Sequence, residues 1–214
     1  GSLQGWWRLD EDVSSAGDVV DSSGKGKTGT FDASNDRPAY TEALFPTPYI
    51  QTASCTFDGT SDRVNIGGGA TWDAIIGNDT GGGSTQQMTF AAWIYVDDSP
   101  AANYPRIISF GLNPGVTFQT HKTSLYLSFD TYWSTSGHVN WETAASVLTK
   151  EKWHHVVATY DGSSTANDAK IYLDGVLISA PASESRVGTW PGIDSNNCYI
   201  GNNANDLGTQ FTGQ

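Results

Sequence analysis

The stretch Met88-Thr-Phe-Ala-Ala-Trp-Ile-Tyr-Val96 constrains this chain more than any other. Met88, Phe90, Ala92, Ile94 and Val96 fall on one face of an extended backbone, and Thr89, Ala91, Trp93 and Tyr95 on the other. That is a period of two, the signature of a strand. Both faces are largely apolar, which predicts a central strand covered on both sides. Further apolar runs, each closed by Gly, Asp, Asn or Pro, predict strands over 5–9, 55–66, 106–110, 124–129, 138–143, 153–160, 170–178 and 198–201. Asp174-Gly175, between Ile171-Tyr-Leu173 and Val176-Leu-Ile178, predicts a type I′ hairpin turn, because both central positions need positive φ. Only residues 72–76 suggest helix, one turn at most.

Composition agrees with many turns and little helix. Of the 23 acidic residues 18 are Asp and 5 are Glu, and there are 24 Gly; Asp and Gly favour turns, whereas Glu favours helices. A length of 214 residues fits one antiparallel β-sandwich. The Gly- and Ser-rich 77–87 segment reads as a surface loop inside it, so 1–214 is expected to be a single domain, with Gly1-Ser2 a cloning remnant and no signal peptide behind it. Phe90, Ala92, Ile94, Val157, Ile171 and Leu173 are the expected core, joined by Trp6, Trp93 and Trp153.

Several functions are disfavoured at this stage. The net charge is −12 and the eleven Lys and Arg residues are scattered singly, so no basic stripe offers itself to nucleic acid. No apolar run approaches the ~18 residues of a membrane span. Cys55 and Cys198 lie too far apart in sequence for a redox CxxC motif or a zinc cluster; a disulfide and two buried thiols both remain open.

Seven local patterns then occur in order: Gly5-Trp-Trp-Arg-Leu9; Asp21-Ser-Ser-Gly24; Phe57-Asp-Gly59 leading to Asp62-Arg-Val-Asn-Ile66; Phe90-Ala-Ala-Trp-Ile94; Trp153-His-His-Val156; Thr159-Tyr-Asp-Gly162 with Tyr172-Leu-Asp-Gly175; and Tyr199-Ile-Gly201. Together they resemble the laminin-G-like jelly rolls of the concanavalin A-like lectin/glucanase superfamily. The resemblance implies an all-β, antiparallel two-sheet jelly-roll sandwich. It also implies a departure: such domains continue beyond a Phe-x-Gly element into a last strand, and Phe211-Thr-Gly-Gln214 stands where that strand would begin. The expectation is a final strand missing after Gln214, either because the sequence is truncated there or because a partner supplies the strand, and an open sheet edge beside 5–9 that invites self-association.

Enzymes of that superfamily that cut β-glucans carry two carboxylates spaced along one strand face. Glu11, Glu42, Glu142, Glu151 and Glu184 all miss that spacing, and no nucleophile elbow, zinc-binding helix or phosphate loop is present. A catalytic role is therefore not expected. His154 and His155, adjacent on a strand, point to opposite faces and cannot chelate one metal together; one is expected in the core and the other on the outer surface. Asp10-Glu11-Asp12 reads as a solvated turn.

Binding chemistry has two candidate locations. The segment Asp130-Thr-Tyr-Trp-Ser-Thr-Ser-Gly-His-Val-Asn-Trp141 gathers Tyr132, Trp133 and Trp141 with Asp130, His138 and Asn140. Aromatic faces beside polar acceptors match the apolar face and hydroxyls of a sugar ring; packing of the same aromatics in the sheet is the competing reading. Tyr104 and Trp190 are further aromatics outside the strand patterns. The second location rests on the resemblance, which implies a structural Ca2+ near Asp21, with Asp58 and Asp62 as further oxygen ligands; simple turn capping by the three is the alternative. The expected function is a non-catalytic carbohydrate-binding or adhesive module of a larger extracellular, cell-surface or virion protein. A structural or decoration module docking to protein partners through its faces or open edge is the alternative.

Overall fold

The computed structural model describes residues 3–9, 18–31, 39–42, 53–77, 86–98, 102–111, 115–133, 136–193, 196–203 and 209–214. The centre of the expected 77–87 loop and the Asp10-Glu11-Asp12 turn lie outside them. In chain order the described strands are β1 (Asp18–Val19), β2 (Gly29–Phe31), β3 (Ala39–Glu42), β4 (Ala53–Asp58), β5 (Val64–Gly68), β6 (Gln87–Tyr95), β7 (Arg106–Gly111), β8 (Gly115–Thr120), β9 (Leu127–Trp133), β10 (Gly137–Glu142), β11 (Trp153–Asp161), β12 (Lys170–Leu173), β13 (Val176–Ile178), β14 (Asn197–Ile200) and β15 (Thr212–Gly213), with helix α1 (Gly69–Ile76) after β5.

All described pairings are antiparallel, as expected. One sheet runs β1-β2-β5-β14-β7-β8-β9-β10, a second β13-β12-β11-β6, and a third β15-β4-β3. A bridge between Val96 and Gly213 ties the second sheet to the third. The first two sheets face one another across an aromatic core. Phe90 of β6 lies 5.1 Å from Phe110 and 6.2 Å from Phe129, and Tyr160 of β11 lies 5.5 Å from Phe129 and 4.9 Å from Trp141. Burying apolar area on this scale is the dominant favourable term in holding a sandwich together.

Local chemistry explains the elements. In the β12–β13 hairpin Asp174 and Gly175 have φ of 50° and 83°, as the Asp-Gly turn required. The expected 55–66 strand is split in two, because Gly59 turns the chain at φ 75°. Helix α1 runs two turns rather than one: Trp72 and Ile76, four residues apart, both face the core, and Trp72 Nε1 donates to the Ile66 carbonyl. β8 was not foreseen, since its apolar residues are few and interleaved with Thr and Gln.

Where both faces of a strand are apolar, the inward face could not be told from sequence, and three expectations fail there. On β11 the inward residues are His154, Val156, Ala158 and Tyr160, so Val157 points outward. Among the described pairings β6 ends its four-stranded sheet; Trp93 lies outward on His155 and Trp153 lies on Tyr95. Trp6 is 53% exposed, and its neighbour Trp7 turns in against Trp72 instead. Within 3–9 the backbone is tied to 21–22 by a bridge from Trp7 to Asp21 and by the Ser22 amide donating to the Trp6 carbonyl, without forming the expected strand. The split of the histidine pair is as expected, with His154 inside and His155 outside. Ile94 and Ile171 are buried in the core, and Phe90, Ala92 and Leu173 pack against it. Cys55 on β4 and Cys198 on β14 are buried thiols.

Gly201 follows β14 at φ 83°, and a Cβ there would sit 2.3 Å from the ring of Phe57. Gly201→Ala should therefore cost about 2 kcal/mol through strain and overpacking. At this chain length that lowers the melting temperature by roughly 4–8 °C. A melting temperature within a degree of the parent in calorimetry would show that Phe57 yields freely.

Candidate functional site

Strands β7 to β10 form one end of the eight-stranded sheet, and their register decides which side chains share a face. Asp130 stands opposite Asn140 and Thr117, Tyr132 opposite His138, Gln119 opposite Ser128 and Arg106. Opposed residues in an antiparallel pair project to the same side. Arg106, Gln119, Ser128, Asp130, Tyr132, His138, Asn140 and Glu142 consequently line the outer face, away from the second sheet. Phe118, Phe129, Val139 and Trp141 line the inner one.

Asp130 is the centre of the outer face. Its residue is only 5% exposed, and its carboxylate accepts from Gln119 Nε2 at 2.8 Å and from the Ser128 hydroxyl. His138 Nε2 stands 3.3 Å away and Arg106 Nη1 3.8 Å. A buried carboxylate needs such partners, because an unpaired charge away from water is costly. The contact with Asp130 raises the pKa of His138, against the opposing effect of its partial burial. Desolvation, reinforced by the nearby Asp130 charge, raises that of Tyr132, which remains a neutral phenol with its ring 5.1 Å from His138. Gln119 Oε1 is enclosed and has no hydrogen-bond partner among the described residues.

A second aromatic group borders this face. Tyr104, 44% exposed, meets His121 edge-on at 5.2 Å, and His121 stacks on Tyr126 at 4.8 Å. Burial pushes the Tyr126 phenol up, and its hydrogen bond to Glu142 adds to the rise, so it stays protonated. Asn140 Nδ2 donates to the same Glu142. The face can thus offer carboxylate and amide acceptors, guanidinium and imidazole donors, and exposed ring surfaces.

Of the six residues expected to bind ligand, Asp130, Tyr132, His138 and Asn140 come together here. Trp133 and Trp141 do not. They are 4% and 0% exposed and point into the core, because they are odd-numbered on strands whose outward residues are even-numbered. Trp141 is held there by its Nε1 bond to Asp168 and by Arg186 stacked 5.1 Å over its ring. Trp190 is likewise buried, its Nε1 donating to the Gly77 carbonyl. Sequence reasoning missed Arg106, Gln119, Ser128 and Tyr126, single polar positions in apolar runs whose only signal was their alternation.

The three acidic residues considered for calcium are each engaged by backbone amides. Asp21 Oδ1 accepts the Trp6 and Ser23 amides, both at 2.9 Å, and Oδ2 accepts the Lys27 amide at 2.8 Å. Asp62 accepts the Asp58 amide, and Asp58 the Thr60 amide. Among the described residues no three His, Cys, Asp or Glu side chains converge as a metal group would require. Asp21 thereby fastens 3–9 to 21–27, and Asp58 and Asp62 hold the turn at 58–62.

A laminin-G family model of the concanavalin A-like lectin/glucanases superfamily matches residues 58–214. No curated protein sequence matches the chain. Among solved structures, the CBM40 domain of the Ruminococcus gnavus IT-sialidase is similar at 12% identity and a TM-score of 0.47, over 70% of this chain and 81% of that one. The same domain bound to α2,3-sialyllactose gives 13% identity and a TM-score of 0.45, over 59% and 70%. Domains LG4-5 of the mouse laminin α1 chain give 19% and 0.40, over 60% and 32%. No helix among the described residues is long and apolar enough to cross a membrane.

Desolvation raises the Asp21 carboxyl, but the hydrogen bonds from Ser23, Trp6 and Lys27 outweigh it and hold the pKa at about 2, below the usual 3.8. A lowered carboxylate pKa gives stability that is full above the unfolded value and is lost as pH falls through the folded one. Asp21→Ala should cost about 2 kcal/mol at pH 7. The gap from the parent should close between about pH 4 and pH 2 in melts run across that range. Parent melting temperatures in calcium and in chelator then decide between capping and an ion: agreement leaves Asp21 a turn residue, and a rise with calcium that Asp21→Ala abolishes shows an ion.

Proposed function

The chain belongs to the concanavalin A-like lectin/glucanase superfamily, and from that premise we propose that it is a non-catalytic carbohydrate-binding module whose site is the outer face of β7–β10. The observation that carries this reading is the enclosed Asp130 network, with the unpartnered Gln119 Oε1 beside it and the Tyr132 and His138 rings at its rim. Sugar hydroxyls are donors as well as acceptors. Asp130 and Asn140 can receive them while Arg106 and His138 donate, and a tyrosine face packs against the C–H surface of the ring. The acceptors are fixed in advance by their mutual hydrogen bonds, so little ordering cost falls on binding.

Binding rather than bond cleavage fits the carboxylates of this face. Asp130 is tied to Gln119, Ser128, His138 and Arg106, and Glu142 to Asn140 and Tyr126. A glycosidase needs one carboxyl poised as acid and another as nucleophile or base, and here both already serve neighbours. An extracellular or surface-displayed setting goes with this reading.

A glycan array followed by calorimetry on the best ligand tests it. Tyr132→Ala and His138→Ala should each weaken binding at least tenfold with little change in melting temperature, since both side chains sit at the rim. Absence of any retained glycan, or unchanged affinity in both variants, would refute the site. Turnover of the retained glycan would refute the non-catalytic role.

The His138–Asp130 pair adds a pH signature. A raised histidine pKa means the charged pair is complete below the ordinary value of 6.5 and is lost as pH rises through the elevated one. Affinity should fall between mildly acidic and alkaline pH, and His138→Gln should flatten that profile.

A further inference from the structure

The two aromatic groups of the outer face lie on one line. Tyr126 directly precedes β9, and Tyr132 stands six residues further along the same extended segment. The β8–β9 ladder continues one pair beyond Thr120 and Leu127, because the His121 amide donates to the Tyr126 carbonyl at 3.2 Å. Tyr126 therefore shares the parity of Ser128, Asp130 and Tyr132 and projects to the same side. Its phenol bonds Glu142, which stands opposite Ser128 on that side. At about 3.3 Å per residue the two tyrosines are roughly 20 Å apart along the strand.

Polar and aromatic surface alternate along that line. Ser128 and Asp130, in the middle, are buried, whereas His138 at one end and Tyr104 at the other are exposed. The Tyr104 end is as firmly held as the Tyr132 end. His121 stacks on Tyr126, and its Nδ1 accepts the Ser124 amide at 3.0 Å. That bond fixes the imidazole and leaves its proton on Nε2, which can donate. Tyr104 meets the same imidazole edge-on. A single exposed ring needs no explanation. Three rings in mutual contact, pinned by hydrogen bonds and in line with a polar network, form a second platform.

We propose that the ligand of this face is an extended, uncharged oligosaccharide that runs along β9 and reaches both aromatic platforms. This inference rests on the carbohydrate-binding reading of the face and adds the length, direction and charge of the sugar chain. A disaccharide covers one platform and part of the Asp130 network, whereas roughly 20 Å requires several rings end to end. The outer units would lay their C–H faces on Tyr132 and Tyr104. Those between would exchange hydroxyl bonds with the Asp130 network and Asn140. Each platform alone offers little area, but once one end is held the other binds at a high effective concentration. Charge narrows the class further. The chain carries a net −12 and Glu142 lies between the platforms, so a polyanionic glycan is repelled.

The test is calorimetry of the 214-residue chain with two-ring and six-ring β-1,4-linked oligosaccharides of glucose, mannose and N-acetylglucosamine. At least one six-ring chain should bind ten times or more as tightly as its two-ring counterpart. Tyr104→Ala, at an exposed position, should bring that ratio close to one without lowering the melting temperature. Tyr132→Ala should weaken both lengths. The ring protons of His121 should shift in magnetic resonance spectra with the six-ring chain and not with the two-ring one. Equal affinities for the two lengths, or a length dependence that survives Tyr104→Ala, would overturn the extended site and leave the Tyr132 site standing. Failure of every six-ring chain to bind would overturn it too, and a short glycan retained on the array would then keep the simpler reading intact. Binding untouched by Tyr132→Ala would overturn both.

Discussion

The register between β9 and β10 is the constraint on which the rest depends. It sets Asp130 against Asn140 on the outside and Phe129 against Trp141 on the inside. Strand side chains alternate with a period of two, so a slip of one residue would put Asp130 in the core and Trp141 in water. Burying Phe129, Val139 and Trp141 against Tyr160 opposes that slip, each large apolar side chain contributing about 1.5–3 kcal/mol when fully buried. The polar face is held in place from behind by the core it does not belong to.

The far edge of β10 is closed as well. Ala182 bridges Trp141, the Ser183 amide donates to the Asn140 carbonyl, and the Asn140 amide donates to the Ser183 hydroxyl. Arg186, from the same passage, pairs with Asp168 at 3.1 Å while covering the Trp141 ring. A sheet edge left bare templates pairing with other chains, and residues 182–186 remove that hazard beside the candidate site.

How much of this was legible in sequence follows from how much alternation says. Asp174-Gly175 identified its hairpin because the turn admits few residues. The ordered motifs identified the fold because seven weak patterns in sequence are jointly specific. Met88–Val96 identified a strand but not its place in a sheet, since an apolar outer face looks the same whether another layer or solvent lies beyond it. Val157 and Val156 are chemically alike, and only the partner sheet decides which is inside. Trp133 and Trp141 were read as ligand contacts from residue type, although spacing already placed them opposite Asp130 and His138 in parity. Gln119 and Arg106 come from the two preceding strands and meet Asp130 only through pairing across β7, β8 and β9, which the pattern within one strand does not encode.

The polar face and the second sheet share one core. Phe90 projects inward from the middle of β6 and rests on both Phe110 and Phe129. Phe129 is the immediate chain neighbour of Asp130 and Ser128, so the ring that Phe90 touches lies beneath the polar network. A packed core transmits strain, so a substitution that displaces Phe129 would disturb the Asp130 network from beneath, although it touches none of that network's hydrogen bonds.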